Sequence, residues 1–368
     1  MNKSGPLHPQ LRYCLRCCLP ETVEGITFDE RGICSACISS EVKMHIDWEQ
    51  REAKLRETLD RYRGLGKNKA YDCVLPVSGG KDSTFQAHIL VKVYGMRPLA
   101  VTFSHNWYTE TGRRNLDRLL EIFDLDHMEF TPKRSLVNRL ARQSIFKIGD
   151  SCWHCHAGVG AFPLQVAIKF DVRLLVWGES AAELGCKSNY ERALEADAYD
   201  ESYFLKVSAK QDVESMVAED IPLRELDPFR VPPREEILAC AVRGIHLGDY
   251  LFWDEERQVE FIKREYGWEE DVVEGTYKRY KSVECIMPGV HDYTKYLKRG
   301  YGRATDHAAK DVRAGLLTRE EAFEIIRQID PARPKQMEYL TRITGLSVEE
   351  IEQAIKAQRS GVAKKLQS

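Results

Sequence analysis

The sequence predicts an α/β protein in which a parallel sheet is covered by helices on both faces, preceded by a cysteine-rich module and followed by a helical region. Three observations carry that prediction. Between residues 71 and 177, apolar runs of strand length alternate with stretches of helical period. A glycine turn, Val77-Ser78-Gly79-Gly80-Lys81-Asp82-Ser83-Thr84, joins the first run to the first helical stretch. Two Cys-x-x-Cys pairs, Cys14 with Cys17 and Cys34 with Cys37, stand near the start.

Composition sets the bounds. A chain of 368 residues exceeds a typical single domain, and three parts are expected: a cysteine module plus amphipathic helix over 1–63, a nucleotide-type sheet domain over 70–231, and a substrate-binding and helical region over 232–368. The apolar share of 43% and charged share of 30% are those of a globular protein in water. No run of about eighteen apolar residues occurs, and residues 1–16 lack the apolar stretch of a secretory signal, so a cytoplasmic protein without a membrane span is expected. A net charge of −3 argues against a generally basic nucleic-acid surface. Eleven cysteines, an odd number in a long chain, point to metal ligation rather than disulfides.

The elements follow in order. Cys14, Cys17, Cys34 and Cys37 form two knuckles with a loop between them, the spacing of a tetrahedral zinc site, with Cys18 as a spare. Four thiolates would leave no open coordination position, so the zinc is expected to be structural. Residues 40–63 carry Ile46, Trp48, Leu55, Leu59 and Tyr62 among many charges and read as one amphipathic helix, and 64–69 as a linker. Strands are expected over 71–77, 99–103, 127–130 and 172–177, with helices to about residue 94, over 113–123, within 134–146 and over 159–170. Pro76 suits only the end of a central strand. Ligands of such sheets bind beyond the carboxyl ends of the strands, which groups the loops 78–83, 104–112 and 178–185 into one site.

Later segments are less regular. Cys152 and Cys155 form a third Cys-x-x-Cys, ambiguous between metal, redox and burial. Residues 189–231 lack periodicity and read as an insertion that covers the site. Pro232-Pro233 opens a helix. Residues 277–303 hold seven basic side chains, among them Lys281, Lys295, Lys298 and Arg303, interleaved with five tyrosines, which suits an anionic sugar nucleotide or RNA. Thr318 with Glu321 and Ser347 with Glu350 are capping boxes, and 304–358 reads as a helical bundle.

The glycine turn has the composition of an anion site. Two glycines let the backbone present its N–H groups, and Lys81 adds a mobile charge. It lacks the upstream glycine of a Walker A loop. Ser78-Gly79-Gly80-Lys81-Asp82-Ser83 instead resembles the PP-loop of the ATP pyrophosphatases, which split ATP into AMP and pyrophosphate. That resemblance implies ATP held by Ser78, Gly79, Gly80, Lys81, Asp82, Ser83 and Thr84, with adenine against the backbone of 101–103. Trp107 is then expected to pack or stack. Lys81, Asp82 and Ser83 would be catalytic. Gly178 and Glu179, with Glu183, would complete the cofactor site, the carboxylates and Asp82 holding Mg2+. Some relatives that thiolate RNA carry an iron–sulfur cluster on a Cys-x-x-Cys plus a third cysteine, which would be Cys285 or Cys240 beside Cys152 and Cys155.

Over nearly its whole length the chain resembles the N-acetyl sugar amidotransferases of bacterial surface-polysaccharide biosynthesis. The resemblance rests on Cys14-x-x-Cys17 with Leu19-Pro20-Glu21-Thr22, on residues 32–37, on residues 77–84 and on Trp177-Gly178-Glu179. His291-Asp292-Tyr293 and residues 300–307 complete it. It implies an ATP-dependent conversion of an acetamido group on a nucleotide-linked sugar, such as a UDP-diacetamido uronic acid, into an acetamidino group during O-antigen synthesis. Ammonia would come from a partner glutaminase through a cyclase-like subunit; no Gly-x-Cys-x-Gly nucleophile elbow stands in this sequence. Lys298 and Arg303 would bind the sugar carboxylate or diphosphate. The alternative is a tRNA-modifying PP-loop enzyme of the thiolase or lysidine type.

Overall fold

The computed structural model describes residues 5–65, 70–184, 190 and 211–367. Its centre is a parallel sheet of β1 (Cys73–Pro76), β2 (Pro98–Phe103), β3 (His127–Phe130), β4 (Leu174–Trp177) and β5 (Arg243–His246), in the order β3-β2-β1-β4-β5. The inner strands are buried almost throughout, as strands covered on both faces must be. Alternation then divides their side chains: Cys73, Leu75 and Val77 join one core, and Val74 the other.

The first core is closed by α2 (Trp48–Tyr62), α3 (Lys81–Ala87) and α4 (Glu110–Phe123), through Leu55, Leu59, Ala87, Leu116, Leu119 and Phe123. The second is closed by α6 (Trp153–Lys169), through Leu164, Val166 and Ala167, and by Ile237 of α7 (Arg234–Ala239). α3 runs on into a π-helical turn, His88–Val93. The predicted fold class and alternation are therefore present, with the strand order reversing between β1 and β4. That reversal opens a crevice at the carboxyl ends of those two strands.

Several boundaries differ from expectation. The single helix expected over 40–63 is two, α1 (Ser35–Met44) and α2, because the Asp47 carboxylate accepts the Gln50 N–H at 2.9 Å and caps a new start. α6 begins six residues before the expected 159, so Cys152 is its N-cap and Cys155 lies in its first turn. Pro76 does end β1, opposite Val101. The sheet takes its fifth strand from 243–246, beyond the sheet domain expected to end at 231. Of the insertion expected over 189–231, residues 189 and 191–210 lie outside the described residues. In the part from 211 onward, Met216, Leu226 and Phe229 pack against Phe103, Leu140 and Trp153 as a wall of the core.

The C-terminal region is helical, as the capping boxes require. α9 (Pro288–Arg299), α12 (Met337–Thr344) and α13 (Val348–Ala357) pack on α5 (Arg134–Ile148) around Val290, Leu340, Ile351 and Ile355. α10 (Arg303–Arg313) pairs with α11 (Arg319–Ile329), and both capping boxes are formed. The cysteine module does not stand alone: it docks on Ala308, Ala309, Ala322 and Phe323 of that helix pair. The remaining long helix, α8 (Glu255–Tyr266), follows β5 and brings Glu255 to within 4.0 Å of Lys81 in the glycine turn.

Candidate functional site

The crevice is built first by its glycines. Gly79 sits at φ +81°, where a Cβ would lie 2.3 Å from the Gly112 carbonyl oxygen and 2.8 Å from the Leu116 nitrogen, so only glycine lets the turn approach α4. Its carbonyl accepts the Trp268 indole N–H at 3.1 Å. The hydroxyls of Ser83 and Thr84 donate to the Gly80 carbonyl at 3.0 and 3.2 Å. Gly79 and Thr84 thus shape the turn, while Ser78, Gly80, Lys81, Asp82 and Ser83 line the space above it. Gly178 is a packing position, since a Cβ there would lie 2.3 Å from Gln86 Nε2.

Two adjoining cavities of about 350 and 340 Å³ open over this turn, sharing Ser78, Asp82, Ser83, Ser282, Glu284, His291 and Arg303. The first is lined by Pro76, Val77, Val101 and Phe103 at the strand ends, where an adenine was expected. The second is strongly charged. Lys81, 5% exposed, contacts Asp82 at 2.6 Å and Glu255 at 4.0 Å. Lys310 contacts Glu179 at 2.5 Å and Glu255 at 2.8 Å, and Lys281 also pairs with Glu255. Three ammonium groups therefore meet three carboxylates, Asp82, Glu179 and Glu255, beside the glycine turn.

The titration of the cluster follows from burial and these pairings. Burial alone would lower Lys81, but Asp82, Glu255 and Glu179 raise it above the ordinary lysine range. Burial would raise Glu255, yet the three lysines hold it well below the carboxylate range. Lys281 is lowered to about 8, by burial first and then by Lys81. Burial and the cations Lys281, Arg303 and Lys310 keep His307 neutral, its Nδ1 2.6 Å from the Thr276 hydroxyl. Burial also raises Glu284, whose Oε2 has no hydrogen-bond partner among the described residues.

The other expected residues divide. Arg303 lines both cavities, its Nε 2.5 Å from Asp292. Lys298 lines neither; its ammonium donates to the Ile148 carbonyl at the end of α5, at 2.6 Å. Glu179 lies in the charged cavity, but Glu183 faces Lys43 and Tyr190 in a different one. Cys152, Cys155 and Cys285 line the strand-end cavity together, with burial raising Cys155 to about 12, whereas Cys240 packs on the far core. Among the tyrosines of 277–303, the hydroxyls of Tyr277, Tyr280 and Tyr293 donate to Asp311, Glu256 and Glu352. Trp107 is a packing residue, 2% exposed in the core around α5.

Lys310, Glu255 and Glu284 were not among the residues expected at the site. For Lys310 a signal was available: Arg303, His307 and Lys310 stand at i, i+4 and i+7, one face of α10. Glu284 reaches the turn because its segment pairs with the loop after β2, Thr109 N–H to Glu284 carbonyl at 3.2 Å and Ile286 N–H to Trp107 carbonyl at 2.9 Å.

The four cysteines of the N-terminal module are buried together. Cys14 and Cys37 sulfurs lie 3.8 Å apart and Cys17 and Cys34 sulfurs 3.7 Å. Metal–sulfur bonds of about 2.3 Å at tetrahedral angles put sulfurs about 3.8 Å apart, so the group fits a metal such as zinc. Backbone N–H groups of Arg16, Cys17 and Cys34 point at the Cys14 sulfur. Cys18 lies outside the group, its thiol 3.7 Å from the Thr305 carbonyl.

These features define an α/β protein with a doubly wound parallel sheet, a charged crevice at its switch point and a four-cysteine module. Residues 274–364 match the family model described as LPS biosynthesis protein WbpG-like, C-terminal domain. The C-terminal region is thus similar to the C-terminal domain of the WbpG-like proteins. No curated protein matches the chain. No helix among the described residues is long and apolar enough to cross a membrane.

Proposed function

We propose that the protein is an ATP-dependent amidotransferase of lipopolysaccharide O-antigen biosynthesis. It converts an acetamido group of a nucleotide-linked sugar, a UDP-diacetamido uronic acid by preference, into an acetamidino group. ATP leaves as AMP and pyrophosphate. The observation that carries this reading is that Lys281, Arg303 and Lys310, all within the segment similar to WbpG-like proteins, face the glycine turn across one cavity. A nucleotide-cleaving turn and an acceptor-binding segment that share a cavity suit a transfer between the two.

The chemistry follows from the acceptor. An amide oxygen is a poor leaving group, so ammonia cannot displace it directly. Attack of that oxygen on the α-phosphorus of ATP breaks the bond to the β-phosphate oxygen and gives an imidate–AMP. The turn N–H groups, Lys81, Lys281 and Lys310 meet the charge of the departing pyrophosphate. Ammonia then adds at the imidate carbon, AMP departs with the former amide oxygen, and a proton passes to solvent. Arg303, steadied by Asp292, would bind the acceptor's carboxylate or diphosphate.

Magnesium fits on structural grounds: Asp82 and Glu284 line both cavities, and Glu284 Oε2 is the buried oxygen without a partner described above. Bound there, the ion would neutralise charge on phosphate oxygens. Glu179, held by Lys310, is the weaker ligand. Zinc in the four-cysteine group would be structural, with no position left open. A glutaminase with a cyclase-like subunit would supply the ammonia. The test is incubation with ATP, Mg2+, ammonium and the UDP-diacetamido uronic acid. Mass spectrometry should show one oxygen replaced by NH, with one AMP per product; AMP formation without that mass change would refute the acceptor.

A further inference from the structure

We propose that Asp150, His156 and His291 form a site for a divalent transition-metal ion in the wall of the strand-end cavity, separate from the four-cysteine group and independent of the amidotransferase reading. One carboxylate oxygen and one nitrogen from each imidazole lie within 4.8 Å of one another. The three arrive from separate elements. Asp150 follows α5, His156 stands in the first turn of α6 and His291 in the first turn of α9. Asp150 is held in place, its Oδ1 accepting the Cys152 N–H at 2.9 Å and standing 3.0 Å from His291 Nδ1. The two imidazole rings are 5.3 Å apart and inclined at 44°.

The donor set selects the ion. Two imidazoles and a carboxylate suit Zn2+, Fe2+ or Co2+ rather than Mg2+, which prefers oxygen ligands throughout. Bonds of about 2.1 Å place tetrahedral ligand atoms about 3.4 Å apart, so side-chain rotations of roughly 1 Å close the site. Three protein ligands leave at least one position open, and His156 and His291 both line the cavity. Cys152, Cys155 and Cys285 line the same cavity but belong to neither group of mutually close ligand atoms found among the described residues. The site is therefore of nitrogen–oxygen type, not a thiolate cluster.

Cobalt distinguishes the two sites in one titration. Metal-free full-length protein titrated with Co2+ should bind two equivalents. One carries the intense thiolate-to-cobalt charge-transfer band of the four-cysteine group; the other shows only weak visible bands. His156→Ala and His291→Ala should each bind a single, thiolate-type equivalent. Asp150→Asn should weaken the second equivalent about tenfold or more. Far-ultraviolet circular dichroism checks folding, and His156→Ala, which spares the Asp150–His291 contact, serves if His291→Ala does not fold. A single thiolate-type equivalent in the unaltered protein, or a second one undiminished in His156→Ala, would overturn the proposal and leave an Asp–His pair. Because cobalt is the readout, neither result depends on ATP turnover.

Discussion

Lys81, Lys281 and Lys310 converge on Glu255 and Glu179 from three distant parts of the chain, and each lysine faces a different balance of burial and charge. Lys81 stays charged at all ordinary pH, so Lys81→Ala should abolish pyrophosphate release while the metal content of the four-cysteine group is unchanged; a fully active variant would sink the ATP assignment. Of the three lysines, Lys281 is the one that burial and Lys81 lower, to about 8. A bound polyphosphate favours its ammonium form, so ATP affinity should fall as pH rises above about 8, by at most about tenfold per unit. Lys281→Arg, which keeps its charge, should flatten that dependence in isothermal titration. The lysine in the glycine turn was legible from its neighbours in sequence. Lys310 and Glu255 were not, because their role comes from packing across the crevice and no local pattern encodes it.

At the scale of elements, the turns carry the constraints. Gly79→Ala would need a Cβ within 2.3 Å of a backbone oxygen at a positive φ, so it should lose about 1–3 kcal/mol of stability by denaturant titration together with ATP turnover. The segment 300–303 has the same logic. Gly300 ends α9 in the left-handed region at φ +76°, and a Cβ on Gly302 would lie 2.5 Å from Asp330. Asp330 accepts the Gly302 and Ala304 N–H groups and the Thr305 hydroxyl, so it caps α10 from the end of α11. Asp330→Ala would strand those buried donors and should cost about 2–4 kcal/mol, measured by urea unfolding, while moving Arg303 from the cavity. The capping boxes at Thr318 and Ser347 were legible because both partners lie three residues apart. The cap on α10 was not, since its acceptor is 25 to 28 residues from the donors it serves.

Over the whole molecule, the four-cysteine module is packed on the C-terminal helix pair. Phe323 and the alanines of α10 and α11 pack beneath the knuckles, and Arg319 Nε donates to the carbonyls of Cys14 and Cys17 at 3.1 and 2.9 Å. Removing the metal with a chelator should therefore lower the Tm by roughly 5 °C or more, a few kcal/mol in a chain of this size, and deprotect α10 and α11 amides in hydrogen exchange. An unchanged exchange pattern there would show that the docking holds without the metal. The sequence by itself determined the α/β class, the glycine turn, the metal spacing of the knuckles and the capping boxes, because each depends on residues a few positions apart, whose periodicity, φ preferences and donor types act locally. The tertiary structure alone decided that β5 completes the sheet, that α10 and α8 bring Lys310 and Glu255 over the turn, that Lys298 serves a helix end, and that Asp150, His156 and His291 meet. Those pairings join residues far apart along the chain, and the burial that enforces them exists only once the sheet and both helical layers have closed.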